Sequence, residues 1–211
     1  MARQAVRHMV RRIGFSWIIL LALTLSACSD YKLPPLAEEA KILAFGDSLT
    51  VGVGVSPAQS YPAVLEKLSG RVVINSGVSG ETSEQGLSRL KEELQRHQPA
   101  LLILLEGGND VLKNVSPETV EANLGKMIRV AKDQGVSVLL VGVPEKGVFP
   151  DTADWYESLS DEYEVPLEND IVADLMGRLT MKSDYVHFNR AGYQALAEAI
   201  YKKLKEAGAL E

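Results

Sequence analysis

The chain has 211 residues, 22 Lys and Arg against 28 Asp and Glu, a formal net charge of −6, 46% apolar residues and a single cysteine. That length suits one domain with at most a short appendage, and the ordinary globular composition excludes a disordered or collagen-like chain. One cysteine excludes an intramolecular disulfide and a cysteine-rich metal site, while the acidic balance argues against a nucleic-acid partner.

The charge is unevenly spread. Four arginines (Arg3, Arg7, Arg11 and Arg12) are the only charged side chains of residues 1–27, and residues 13–25 carry no charge at all. A basic start, an apolar run of about 7–15 residues and small residues behind it describe an export signal peptide. The run is shorter than the roughly 18–20 residues that a membrane-crossing helix needs. Leu25-Ser26-Ala27-Cys28 resembles the bacterial lipobox, which implies cleavage before Cys28 and lipidation of that cysteine. A plain cleaved signal and an uncleaved anchor are the alternatives. Arg11-Arg12 is similar to a twin-arginine signal, but Gly14 stands where that signal has a bulky apolar residue, so the segment reads as an ordinary export signal. The lipobox reading implies a lipoprotein of the bacterial cell envelope, held on the periplasmic side by its lipid anchor. Ser29, in place of the aspartate associated with inner-membrane retention, favours the outer membrane.

Without residues 1–27 the chain keeps 18 basic against 28 acidic side chains, a net charge of −10. Residues 29–40 (SDYKLPPLAEEA) lack a strand or helix period, and Pro34-Pro35 favours an extended conformation. Residues 28–40 are therefore expected to be a lipidated cysteine and tether, followed by a folded domain over 41–211.

Residues 41–45 (KILAF) form a short apolar run ending at a glycine, as a buried strand does. A helix is predicted over 61–68, with Pro62 in its first turn. Residues 71–74 are a second strand. The helix over 83–98 places Leu87, Leu90 and Leu94 on one face, and Pro99 stops it. Residues 100–105 (ALLILL) read as a strand buried on both sides. Ser116-Pro117 starts a helix running to about 134. Strand 136–141 (VSVLLV), a helix over 152–162, a weak fifth strand at 165–167 and a last helix from Asn189 to about 207 complete the domain. The aromatic stretch 149–163, with Phe149, Trp155, Tyr156 and Tyr163, is open to two readings, a helix packed on the sheet or a substrate-facing flap. Alternating strands and helices imply right-handed crossovers and a parallel sheet covered on both faces.

In such a sheet, function collects beyond the carboxyl ends of the strands. There stand Gly46-Asp47-Ser48-Leu49, then Asn75-Ser76-Gly77-Val78-Ser79-Gly80, then Gly107-Gly108-Asn109-Asp110; Asp184-Tyr185-Val186-His187 precedes the last helix. These four blocks, in this order, resemble the SGNH (GDSL) hydrolase superfamily, over nearly all of the chain from Lys41 to about Leu204. The closest likeness is to its small bacterial acyl-thioesterase, lysophospholipase and arylesterase branch. The resemblance and the element order together imply a three-layer α/β/α sandwich with a flavodoxin-like, five-stranded parallel sheet.

The residues carry a chemistry of their own. A serine hydroxyl is a weak nucleophile until a positioned base takes its proton. Beyond residue 27 two histidines are available. His97 closes a charged helix, where it complements the helix dipole. His187 has Asp184 three residues earlier, close enough to accept the ring Nδ1–H and fix the tautomer. Asp-x-x-His alone suits a surface loop with a satisfied histidine equally well, but in combination with Ser48 it makes Ser48, His187 and Asp184 the candidate catalytic residues. The resemblance assigns the oxyanion hole to the backbone N–H groups of Ser48 and Gly80 and to the Asn109 side chain. Gly80 could instead be a plain turn glycine, and Asn109 a turn residue. Asp47 and Asp110 are expected to be structural neighbours.

No Gly-x-Ser-x-Gly elbow, third glycine for a dinucleotide loop or metal-spaced His/Glu or Cys/His cluster is present. The expectation is acyl transfer to Ser48 without metal or cofactor, by a monomer acting on an acyl ester or lysophospholipid. Deacetylation of envelope carbohydrate and a silent acyl-binding lipoprotein are the alternatives. One block departs from the family pattern: Phe188 follows His187 where proline is usual, which restores an N–H and adds an aromatic wall, with loop rigidity or the acyl pocket expected to change and the triad to stay intact.

Overall fold

The computed structural model describes residues 31–147 and 151–211, so the segment read as an export signal, Cys28 and Phe149 lie outside the described residues. Five strands alternate with helices in chain order: β1 (Lys41–Gly46), α1 (Ser48–Val51), α2 (Tyr61–Ser69), β2 (Val72–Gly77), α3 (Ser83–His97), β3 (Leu101–Leu105), α4 (Gly108–Lys113), α5 (Pro117–Asp133), β4 (Ser137–Val141), α6 (Trp155–Tyr163), β5 (Leu167–Glu168), α7 (Ile171–Met176) and α8 (Arg190–Glu206). All strand pairs are parallel, in the order β2-β1-β3-β4-β5. That order puts the first crossover on one side of β1 and the later ones on the other, which opens a crevice at the carboxyl end of β1.

The apolar runs explain the centre of the sheet. Every residue of β3 is buried, as are Ile42 through Gly46 of β1. Helices α2, α7 and α8 pack together in one layer, and α3, α5 and α6 in another. Leu90 and Leu94 of α3 are buried as their spacing requires, with Leu87 partly buried beside them. Ser116 caps α5 by accepting the Thr119 N–H, with Pro117 in the first turn. The stretch left open between helix and flap is, from Trp155 on, a helix with Trp155, Tyr156 and Leu159 turned into the core.

The fifth strand is Leu167–Glu168 where 165–167 was expected, and two further differences bear on the site and the body of the domain. Strand β2 runs on to Gly77 because Asn75 and Ser76, polar in a run read as loop, pair in register with Ala44 and Phe45 of β1. The segment expected as a free tether is, from Tyr31 onward, a strap on the body. The Leu33 and Leu36 N–H groups donate to the carbonyls of Ala207 and Ala209 at 2.8 and 2.9 Å, and both leucine side chains join the core. Extended backbone without a partner strand still satisfied its polar groups, here on the frayed end of α8.

Candidate active site

The carboxyl end of β1 turns directly into α1. Asp47 caps that helix, its Oδ1 accepting the Leu49 N–H at 2.9 Å, and Ser48 is the first helical residue. Across the crevice, the loop before α8 is folded as a short antiparallel bridge between Lys182 and Phe188. The Ser183 N–H donates to the His187 carbonyl and the Asn189 N–H to the Met181 carbonyl, both at 2.9 Å. Asn189 fixes this loop to the helix: its Oδ1 accepts the Ala191 and Gly192 N–H groups, and its Nδ2 donates to the carbonyls of Thr180 and Lys182.

The loop presents His187 to the serine. Ser48 Oγ lies 3.0 Å from His187 Nε2, and His187 Nδ1 lies 2.8 Å from Asp184 Oδ2. The other Asp184 oxygen accepts the N–H groups of Val186 and His187, each at 2.9 Å. The imidazole hydrogen bond, followed by those two N–H groups, holds the Asp184 carboxyl down to a pKa of about 2. An ionised Asp184 accepts from Nδ1–H, which leaves Nε2 as the acceptor for the serine hydroxyl. The structure therefore brings Ser48, His187 and Asp184 into one line.

Gly80 and Asn109 stand on the flanking loops. Gly80 has φ of 79°, and the space where a Cβ would project is open, so the main chain can be approached closely there. Lys113, at the end of α4, donates to the Gly80 carbonyl at 3.1 Å. Asn109, in the first turn of α4, donates through Nδ2 to Asp47 Oδ2 at 3.0 Å. Asp110 ties α4 to the start of α3 by accepting the Ser83 N–H and hydroxyl at 2.8 and 2.7 Å. Asp47 is buried, and burial pushes its carboxyl up to about 6 against the pull of the Leu49 N–H. His97 lies at the other end of the sheet, 3.5 Å from Glu93, with its carbonyl accepting from Lys41 at the start of β1.

Phe188 corrects one expectation. Its side chain is fully buried and meets Tyr193 edge-to-face with ring centroids 5.6 Å apart, so it is a core residue and not a wall of the acyl pocket. The bridge turns alternate residues to opposite sides, and with His187 facing the crevice its neighbour faces the core.

The sequence reading missed an acidic cluster behind this crevice. Glu106, at the end of β3, is fully buried, and burial raises its carboxyl well above the usual range, with Asp47 and Glu81 adding to the effect. Its Oε1 has no donor, and Glu81 faces it. Glu81 is paired with Arg89, whose guanidinium also donates to the Ser76 carbonyl and covers the Phe45 ring at 3.8 Å. The available signal was a glutamate directly after six apolar residues, at the end where a buried strand meets its functional loop. Among the described residues no group of three or more His, Cys, Asp and Glu side chains is placed to hold a metal ion.

The family model of GDSL-like lipases and acylhydrolases matches residues 44–195. The chain belongs to this family. The GDSL-like chain is 37% identical over 108 residues to an arylesterase of Vibrio mimicus, an alignment covering 49% of this chain and 54% of that protein. The chain thus matches little more than half the length of that relative. It is 30% identical over 172 residues to thioesterase 1/protease 1/lysophospholipase L1 of Escherichia coli K12, covering 78% of this chain and 83% of the other. The crystal structure of TesA superposes with a TM-score of 0.72 at 27% identity, over 79% of this chain and 99% of that one.

Proposed function

We propose that this GDSL-family protein is a serine hydrolase of carboxylic esters, thioesters included, in which Ser48 is the nucleophile, His187 the base and Asp184 the group that orients it. The observation that carries the reading is the hydrogen-bonded line Ser48 Oγ–His187 Nε2, 3.0 Å, and His187 Nδ1–Asp184 Oδ2, 2.8 Å. As Ser48 attacks the acyl carbon, its proton passes to His187 Nε2, and Asp184 stabilises the imidazolium. The carbonyl oxygen becomes negative and is met by the N–H groups of Ser48 and Gly80 and by the Asn109 amide. The tetrahedral adduct collapses to an acyl-serine as His187 returns the proton to the departing oxygen or sulfur. A water then gives a proton to His187 as it attacks the acyl carbon, and the second adduct collapses to the free acid as His187 returns the proton to Ser48 Oγ.

Apolar side chains on the loops around the serine support an acyl group with a hydrocarbon chain. Val78, Leu112 and Tyr185 are 44, 46 and 86% exposed on the segments that also carry Gly80, Asn109 and His187. Large apolar side chains gathered around a polar centre mark a surface that takes an apolar ligand. The proposal extends to location: an exported lipoprotein of the envelope, anchored through Cys28, with single-chain lysophospholipids or other acyl esters as substrates.

Ser48→Ala is expected to abolish hydrolysis of p-nitrophenyl butyrate with the melting temperature unchanged; turnover at the wild-type rate would overturn the assignment. A panel of p-nitrophenyl esters of rising chain length, a fatty acyl-CoA and lysophosphatidylcholine then ranks the leaving groups. Cys28→Ser is expected to move the protein from the membrane to the soluble fraction.

A further inference from the structure

Asp47 is the one ionisable member of the first block and has no part in the acyl-transfer scheme, yet its placement is demanding. It is 3% exposed, with Oδ1 engaged by the Leu49 N–H and Oδ2 by Asn109 Nδ2. The carboxylate lies flush against the start of α4, so that a Cβ on Gly108 would stand only 3.1 Å from Oδ2. No room is left between the acid and the helix that carries Asn109.

A side-chain amide is symmetric in shape but not in chemistry. Its nitrogen has two hydrogens about 120° apart, and a half-turn exchanges a donor for an acceptor. With Asp47 Oδ2 at 3.0 Å from Nδ2, one hydrogen is taken and the other is directed away from the carboxylate. The flipped amide would set its oxygen against Oδ2 in a buried place, two acceptors with no proton between them. We propose that Asp47 is a positioning residue for Asn109, fixing its amide so that the free Nδ2–H points to the oxygen that becomes negative during attack by Ser48. The inference rests on the esterase reading and deepens it.

Burial makes this arrangement costly for the fold. The carboxyl is pushed up to about 6, chiefly by desolvation, with Glu81 and Asp110 adding repulsion and His187 opposing it. An acid whose folded pKa is raised destabilises the fold once the unfolded state has ionised, so at pH 8 Asp47 works against stability. Asparagine caps a helix start as well as aspartate does. The neutral amide introduced by Asp47→Asn thus keeps the cap and removes the cost, but it offers its own NH₂ group to Asn109 and turns that amide around.

The test uses the full chain in detergent with p-nitrophenyl butyrate. Asp47→Asn is expected to lower kcat about 100-fold, in the range for loss of an oxyanion donor. KM should stay within about threefold and the melting temperature at pH 8 should be equal or higher. Asp47→Ser, whose hydroxyl reaches Leu49 but falls short of Asn109, is expected to lose as much. Asn109→Ala should lose a similar factor, and Asp47→Asn combined with Asn109→Ala should lie within about threefold of Asn109→Ala alone. Near-wild-type kcat in Asp47→Asn, multiplying losses in the double variant, or a lowered melting temperature would each overturn the proposal. Ser48→Ala separates the two levels. If it is inactive while Asp47→Asn is not impaired, only the positioning role falls; if wild type and Ser48→Ala do not differ, the esterase reading falls and takes the proposal with it.

Discussion

Phe188 follows His187 directly, and its side chain sits in the core, so truncating it separates what the loop owes to packing from what it owes to hydrogen bonds. The ring is fully buried and meets Tyr193 at an interplanar angle of 74°. Tyr193 in turn donates to the Val53 carbonyl at 2.9 Å, on the loop just after α1. Phe188→Ala removes the ring and leaves a cavity, which in well-packed cores costs about 3–5 kcal/mol, of which the edge-to-face contact accounts for about 1 kcal/mol. For a domain of about 180 residues, each kcal/mol lowers Tm by about 2–4 °C, so a fall of roughly 6–20 °C is expected. Thermal unfolding followed by far-ultraviolet circular dichroism measures it. At 25 °C the hydrogen bonds of Asp184 and Asn189 still hold the loop, and kcat should fall less than about tenfold. Phe188→Pro, which installs the residue usual in this family, should be no better than alanine, since it too empties the ring site. A Tm within about 2 °C of wild type in either variant would refute the reasoning, because it would place the ring outside the core.

Asp184→Asn presents an amide to His187 Nδ1 and disturbs the tautomer; kcat should fall by about 10²–10⁴. With Asp184 held down at about 2, it stays ionised throughout the working range, so its carboxyl carbon resonance should not titrate above pH 4, and a titration there would contradict the assignment. Gly107 has φ of 112°, and a Cβ would stand 2.6 Å from the Tyr156 hydroxyl, which donates to the Glu106 carbonyl at 2.5 Å. Gly107→Ala should therefore cost about 2–4 kcal/mol from backbone strain and displacement of that hydroxyl, read as a lowered urea midpoint. Glu106→Gln tests the protonation of the buried acid. Because Glu106 has a raised pKa, the folded state keeps a proton that the unfolded state loses above about 4.5, and wild-type stability falls as pH rises through that window. Glutamine has no such dependence, so the Tm of the variant relative to wild type should be higher at pH 8 than at pH 5. A pH-independent difference would mean that Glu106 is ionised in the fold.

The central strands were legible because they are continuous apolar runs that cannot be helices of the same length. Residues 100–105 need no partner to be read as buried. Ser48 was legible through the Gly-Asp-Ser-Leu block after the first strand, and His187 because only two histidines follow residue 27 and one of them closes a charged helix. The short helices α1, α4 and α7 were not, since four to six residues are too few for a 3.6-residue period to show. The direction of Phe188 was not legible either. Sequence names the ring, but only the bridge between Lys182 and Phe188 decides that neighbours turn to opposite sides. The strap formed by Leu33 and Leu36 is a third case, because its partners are main-chain carbonyls nearly the whole chain away, at Ala207 and Ala209.

In the sequence the acidic cluster shows only as Glu106 after six apolar residues, since its meaning depends on which carboxyls meet in space. A site proposed to stabilise a developing negative charge would be weakened by four full charges close behind it. The partners remove most of that difficulty. Burial and the neighbouring Asp47 and Glu81 raise the Glu106 carboxyl and favour its neutral form, and Glu81 is paired with Arg89, itself held over Phe45 and on the Ser76 carbonyl. Asp110 is spent on Ser83. Only Asp47 keeps a position in which ionisation is costly and which faces a group of the proposed mechanism. The net charge of −10 from residue 28 onward therefore says little about the field at Ser48. That field depends on one buried carboxyl biased toward its neutral form, one guanidinium and one amide whose orientation a carboxylate is proposed to fix.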